Sequence, residues 1–146
     1  MTPSIDCINL IKVSEGLKLI AYKCPAGKWT IGWGHTGPEV HSGLQWTQGE
    51  ADEALRNDVD HAWSSIKNHA GPCTQGQCDA LTDFAFNLGA GALLGSTLLK
   101  LHAAGDDKGA AKEFVRWDHA KVDGREKEMT GLKKRRLTEA ALYLKG

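Results

Sequence analysis

Strand-forming chemistry in this chain is concentrated in residues 17–36, and helical periodicity takes over after them. Leu19-Ile20-Ala21-Tyr22 and Trp29-Thr30-Ile31-Gly32-Trp33 are short β-prone runs, and Pro25-Ala26-Gly27 between them supplies a turn. The pattern predicts a small antiparallel hairpin, followed by a glycine-rich loop at Gly34 and Gly37. Strands segregated in this way from a helical remainder argue for an α+β fold. A small β-lobe beside a helical lobe leaves a cleft between them, which is a preferred place for a ligand.

The helical part divides at its caps. Ser4 is an N-cap candidate, Ile5, Ile8 and Ile11 form a stripe with Leu10 widening it, and Gly16 is a natural stop. Thr47 and Glu50 form a Thr-x-x-Glu capping box. Behind it Ala51, Ala54, Leu55, Val59, Ala62, Trp63 and Ile66 mark one long helix, ended by Gly71-Pro72. Thr74 opens a helix carrying Cys78, Leu81, Phe84, Ala85 and Leu88, which Gly89 and Gly91 break. Ser96 caps a short helix closing near Gly105, and Asp107 precedes one running to about Trp117. The last helix is expected over Leu132 to Leu144, with Leu137, Ala140, Ala141 and Leu144 inward.

Glu15 is the first candidate for chemistry. It falls in the last turn of the first helix, where the backbone dipole is negative and disfavours a carboxylate. A carboxylic acid kept protonated near neutral pH is what a glycosidase general acid requires. Taken alone, a Glu before a helix-ending Gly is usually a surface residue, so the surrounding pattern has to carry the reading.

That pattern is Glu15, then Cys24, then Thr30-Ile31-Gly32, then Gly34-His35. It resembles the signature of the phage lysozymes, glycoside hydrolase family 24, which reads Glu-x8-Asp/Cys-x5-Thr followed by Ile-Gly-x-Gly-His. Downstream, Gln77-x-x-Ala80-Leu81-x-x-Phe84-Ala85-Phe86-Asn87-Leu88-Gly89 is similar to the family's central helix. Phe114-x-x-Trp117 and Gly131-Leu132-x-x-Arg135-Arg136-x-x-Glu139 are similar to its C-terminal part. The resemblance spans nearly the whole chain. It implies one lysozyme-like catalytic domain over residues 1–146, with a β-containing lobe at about 17–45 and a connecting helix at about 48–69. A helical lobe at about 74–146, joined by the N-terminal helix, completes it.

The resemblance further implies an endolysin muramidase that cuts the β-1,4 bond from N-acetylmuramic acid to N-acetylglucosamine in peptidoglycan. Glu15 would be the general acid. Cys24 and Thr30 would place and activate a water on the opposite sugar face, an inverting geometry. Many family members carry Asp where Cys24 stands. An unperturbed thiol has a pKa of ~8.5 and is mostly neutral at pH 7, so Cys24 needs donors or a cation beside it to act as a base. Other readings are direct thiolate attack with retention, or a thiol that only packs while Thr30 and the substrate orient the water. Thr30 alone would read as a strand-favouring β-branched residue.

Four further residues are candidates for substrate binding or support. His35, after Gly-x-Gly, is expected to bond a nearby carboxylate and brace the hairpin. Trp33, close to the triad of Glu15, Cys24 and Thr30, is the aromatic best placed for a cleft, whereas Trp63 lies on a core stripe. Either Arg135 or Arg136 is a candidate partner for Glu15, the alternative being a solvated helix face. No metal and no cofactor are expected: the four cysteines, Cys7, Cys24, Cys73 and Cys78, match no zinc spacing. A Cys73–Cys78 bridge is conceivable, but free thiols are the expectation for a cytosolic origin.

Formal net charge is zero, which gives no global argument for nucleic acid. Residues 121–146 carry eight Lys/Arg against four Asp/Glu, which suits an anionic wall surface or an ordinary solvated helix face. No run approaches the ~20 apolar residues of a membrane span, and the N-terminus has no signal-type apolar core. The expectation is a monomer without stable membrane association, made in the host cytoplasm and reaching the periplasmic wall through a separate membrane-pore protein. Two alternatives remain at this level: a lytic transglycosylase on the same bond, and a non-catalytic wall-binding module.

Overall fold

The structure is a computed structural model that describes residues 1–122, 125–128 and 130–146, with side chains described outside 120–129. The part of the basic C-terminal stretch between 121 and 129 therefore lies outside the described side chains.

Helix α1 (Ile5–Glu15) starts where the Ser4 hydroxyl accepts from the Asp6 N–H and stops at Gly16, whose φ of 72° suits glycine. A three-stranded antiparallel sheet follows in the order β1 (Lys18–Lys23), β2 (Trp29–Gly32), β3 (His35–Thr36). The register pairs Tyr22 with Thr30 and Ile31 with His35, with an irregularity in β1 between Lys18 and Tyr22. Helix α2 (Gln48–Ala70) carries the complete Thr47/Glu50 capping box and buries Ala51, Leu55, Val59, Ala62, Trp63 and Ile66. Among its expected inward residues only Ala54 is not fully buried.

Helix α3 (Gln75–Leu88) is the centre of the helical region, opened by a Thr74/Gln77 capping box. It is enclosed on all sides: every residue from Gly76 to Ala85 is buried, including Asp79, Thr82 and Asp83. Gly76 makes part of that possible, since a Cβ there would lie 2.1 Å from the Leu142 carbonyl oxygen of the last helix. The short helices α4 (Ala90–Leu94), α5 (Thr97–Ala103) and α6 (Asp107–Glu113) lead to a 3-10 turn at Phe114–Trp117. Strands β4 (His119–Val122) and β5 (Arg125–Glu128) pair antiparallel, an element not anticipated above. The last helix, α7, covers Thr130–Lys145.

The inward face of α7 differs from expectation. Leu137 and Leu144 are exposed, at 48% and 56%, while Arg135, Arg136, Glu139 and Tyr143 are buried. Charged side chains occupy a core face here because they find partners there, as buried charges must. The main core joins α2, α3, α5 and α6 around Ile66, Leu81, Phe84, Leu98 and Phe114. A smaller cluster, Cys7, Ile11, Leu55 and Val59, ties α1 to α2. All four cysteines are free thiols. Among the described residues no helix is long and apolar enough to cross a membrane.

Candidate active site

Glu15 ends α1, and its side chain is 24% exposed. Two elements hold it. Gly34, in the β2–β3 turn, lies against the carboxyl group: a Cβ at position 34 would sit 2.9 Å from Glu15 Cδ. From the other side Arg135 Nη1 donates to Glu15 Oε1 at 2.9 Å. Of the two candidate arginines it is thus Arg135 that meets Glu15, placing a positive charge at the negative end of α1. Neither arginine is a solvated residue.

Arg135 is itself clamped. Its Nε and Nη2 donate to the two oxygens of Asp83, at 2.9 and 2.7 Å, a bidentate pair with Asp83 fully buried. Arg136 turns inward instead. Its Nε lies 2.7 Å from Glu139 Oε1, and Nη2 donates to Asn87 Oδ1 at 2.8 Å. Its guanidinium covers the Phe84 ring at 5.3 Å. Burial pulls the Arg136 pKa down, and the Glu139 and Asp83 charges only partly restore it.

Cys24 sits where β1 turns toward β2. Its N–H donates to the Lys28 carbonyl at 2.9 Å, and its carbonyl accepts from the Gly27 N–H at 2.8 Å. That tight turn aims backbone donors at the sulfur. The Lys28 N–H, the largest influence, pulls the thiol below its ordinary pKa; burial opposes it, and the Ala26 N–H, the Thr30 hydroxyl and the Gly27 N–H add to the lowering. Thr30 is buried at 4% exposure, and its one hydroxyl proton is within reach of the Lys28 carbonyl at 3.1 Å as well as the sulfur. Tyr22 links the two halves of the site: burial raises its pKa, and the negative charges of Glu15 and Cys24 raise it further.

His35 braces the hairpin against α2. Its Nδ1 lies 2.7 Å from Asp58 Oδ2 and its Nε2 2.5 Å from Glu39 Oε1. The Trp46 ring packs beside it at 5.3 Å. Trp33 is engaged elsewhere: its indole N–H donates to Asp52 at 2.8 Å, and Lys12 lies 5.1 Å over its ring. Gly32, at φ 67°, admits Trp46 so closely that a Cβ would be 3.1 Å from the indole. Two hollows flank the Glu15–Gly34 contact. One, of about 580 Å3, includes Glu15, Asn87, Leu132 and Arg135; the other, of about 340 Å3, includes Gly34, Asp58, His61 and Phe86.

The phage lysozyme family profile matches residues 12–139. The chain belongs to the phage lysozyme family. It is 44% identical over 135 residues to an endolysin of Acyrthosiphon pisum secondary endosymbiont phage 1, spanning 92% of each chain. The fold is similar to that of an endolysin from the Escherichia coli O157:H7 phage FAHEc1, with a TM-score of 0.91 and 35% identity. That match covers 99% of this chain and 94% of the other. It is also similar to the muramidase domain of SpmX from Asticaccaulis excentricus, with a TM-score of 0.88, 35% identity and coverage of 97% and 96%. The enzyme is accordingly a glycosidase of the lysozyme class, an endolysin.

Sequence reasoning passed over four residues of this region: Tyr22, Asp83, Asn87 and Glu139 as a partner of Arg136. A signal for two of them existed. Asp83 lies on a core helix within the otherwise largely apolar run Ala80–Phe86, and Arg136-x-x-Glu139 has the i,i+3 spacing of a helical ion pair.

Proposed function

We propose that this endolysin hydrolyses the β-1,4 bond from N-acetylmuramic acid to N-acetylglucosamine with Glu15 as general acid. Glu15 gives its proton to the leaving glycosidic oxygen as that bond breaks. Water attacks the anomeric carbon from the other face, Cys24 takes the water's proton as a thiolate, and Thr30 orients the water. The observation that carries the reading is the Glu15 carboxyl held between Gly34 of the hairpin and Arg135 of α7, with the Cys24 turn on the same sheet. Tyr22, which feels both Glu15 and Cys24, supports placing the two groups on one site. In this reading the chain is one catalytic domain whose β-lobe, at about 17–45, faces the helical lobe across the sugar. The enzyme works as a monomer on the wall, after synthesis in the host cytoplasm and release through a separate pore protein.

Mass spectrometry and anomer analysis of digested peptidoglycan test the reaction. Hydrolysis leaves reducing N-acetylmuramic acid ends, and inversion gives the α-anomer first. A β-anomer would mean that the same thiolate attacks carbon directly, and 1,6-anhydro ends would mean a transglycosylase. Glu15→Gln is expected to abolish wall clearing with the fold and wall binding intact. Substantial residual clearing would remove Glu15 from its role and favour a binding module.

A further inference from the structure

Behind Arg135 lies a group of charges that the reaction as described does not use. Asp83 of α3 and Arg135, Arg136 and Glu139 of α7 pack together at exposures of 0%, 6%, 0% and 0%. The Asp83 and Glu139 carboxyls face each other within hydrogen-bond reach. Two ionised carboxylates in contact away from water repel, and a hydrogen bond between them requires a proton on one. Asp83 is the poorer holder of that proton, because both of its oxygens already accept from Arg135. Glu139 has the free oxygen: its Oε2 accepts from Arg136 Nη2 at 3.1 Å, but its Oε1 accepts no well-aligned hydrogen bond despite the 2.7 Å approach of Arg136 Nε.

The titration tendencies agree with this geometry. Burial, then the Asp83 carboxylate, push Glu139 well above the usual carboxylate range, more than the two arginines pull it down. Burial pushes Asp83 upward too, but the hydrogen bonds from Glu139 and Arg135 outweigh it and hold Asp83 low.

With one proton between the two acids, two guanidinium charges face one carboxylate. The buried group then carries a single positive excess. Its one exit toward the site is Arg135 Nη1, which bonds Glu15. We propose that Asp83 and Glu139 share one proton behind Arg135, and that this pair fixes the guanidinium's aim and net charge toward Glu15. Asp83 is thereby a positioning residue for the reaction. The excess charge stabilises the Glu15 carboxylate that forms as the proton leaves for the sugar oxygen, and Asp83 limits that charge. The charged and titratable groups facing these carboxyls come from every neighbouring element. Arg135 and Arg136 come from α7 and Cys7 from α1, while Tyr22 of β1 faces Glu15 at the outer end of Arg135.

The proposal rests on Glu15 as the general acid, so its test has one arm that does not. Carboxyl-carbon NMR of glutamate-labelled enzyme is expected to give one resonance that stays at the protonated position at neutral pH and disappears in Glu139→Gln. If every glutamate carboxyl is ionised at neutral pH, the shared proton does not exist and the proposal falls, whatever Glu15 does. In the kinetic arm, Asp83→Asn removes the anion that offsets Arg135. The basic limb of the pH–rate profile is expected to move down by about one pH unit, with kcat reduced and KM little changed. Asp83→Glu, which restores the charge, is expected to bring the limb back toward the parent. A folded Asp83→Asn enzyme whose profile superimposes on the parent would overturn the positioning role. Should that variant not fold, the NMR result on the intact enzyme decides.

Discussion

Gly34 lies so close to Glu15 that any side chain at position 34 would push on the carboxyl group. A Cβ there would be 2.9 Å from both Cδ and Oε2, and φ at Gly34 is 79°, a conformation L-residues resist. Gly34→Ala is therefore expected to cost about 1–2 kcal/mol from the backbone alone. It also displaces Glu15. A shift of ~1 Å at a catalytic group is worth roughly a hundredfold in rate. Urea denaturation and turbidity loss on permeabilised cells measure the two effects. An Ala variant with parental clearing would show that the carboxyl position is not critical.

The turn around Cys24 makes a pH prediction. Backbone donors hold the thiol below its ordinary pKa, so activity gains its base as pH rises through that lowered value. Under the proposed mechanism Cys24 sets the acid limb of the rate profile. Cys24→Asp is expected to remain active with the acid limb moved to lower pH, because an unperturbed Asp titrates near ~3.9. Cys24→Ala removes the base and is expected to lose roughly a hundredfold or more. An Ala variant with full activity would make the thiol a bystander.

The hairpin and its attachment to Glu15 were legible because they are local. The change from helical to strand chemistry, the Pro25-Ala26-Gly27 turn and the Gly16 stop all lie within a short contiguous segment. The α2 stripe was legible because one face of an amphipathic helix repeats regularly. The buried face of α7 was not, because hydrophobic patterning places Leu137 and Leu144 inward and cannot see that Arg135 meets Asp83 and Glu15, and Arg136 meets Glu139 and Asn87, in the interior. Asp83 was missed for the same reason: its partner is 52 residues away. The β4–β5 pairing was not legible because Arg125-Glu126-Lys127-Glu128 is a charged run without the apolar alternation of a half-buried strand.

Trp33 tests whether an aromatic beside the triad binds sugar or holds the lobes together. Its indole N–H and ring are committed to Asp52 and Lys12, which join the hairpin to α2 and α1. Trp33→Phe keeps an aromatic ring beneath Lys12 and loses the hydrogen bond to Asp52, so stability is expected to fall by about 1 kcal/mol. The accompanying change in kcat/KM is expected to be small. A large rise in KM at parental stability would assign Trp33 to the substrate.

His35 gives the fold its own pH dependence. Burial alone would lower its pKa, but the hydrogen bonds with Glu39 and Asp58 outweigh burial and raise it. With a carboxylate on each ring nitrogen, the imidazolium is the form that can donate to both. A group whose pKa is raised on folding contributes its full stabilisation below the unfolded value, and loses it as pH rises through the folded value. The Glu39 carboxyl is held low, chiefly by its hydrogen bond with His35, so its share is lost on acidification. The brace is therefore strongest in weakly acidic solution. Asp58 carries more of it than Glu39, since their side chains are 28% and 56% exposed and water screens the latter. Asp58→Asn is expected to lower Tm by roughly 3 °C near pH 5.5 and by clearly less near pH 9. Calorimetric melts across that range measure it, and an equal drop at both ends would mean that His35 is not charged in the folded enzyme.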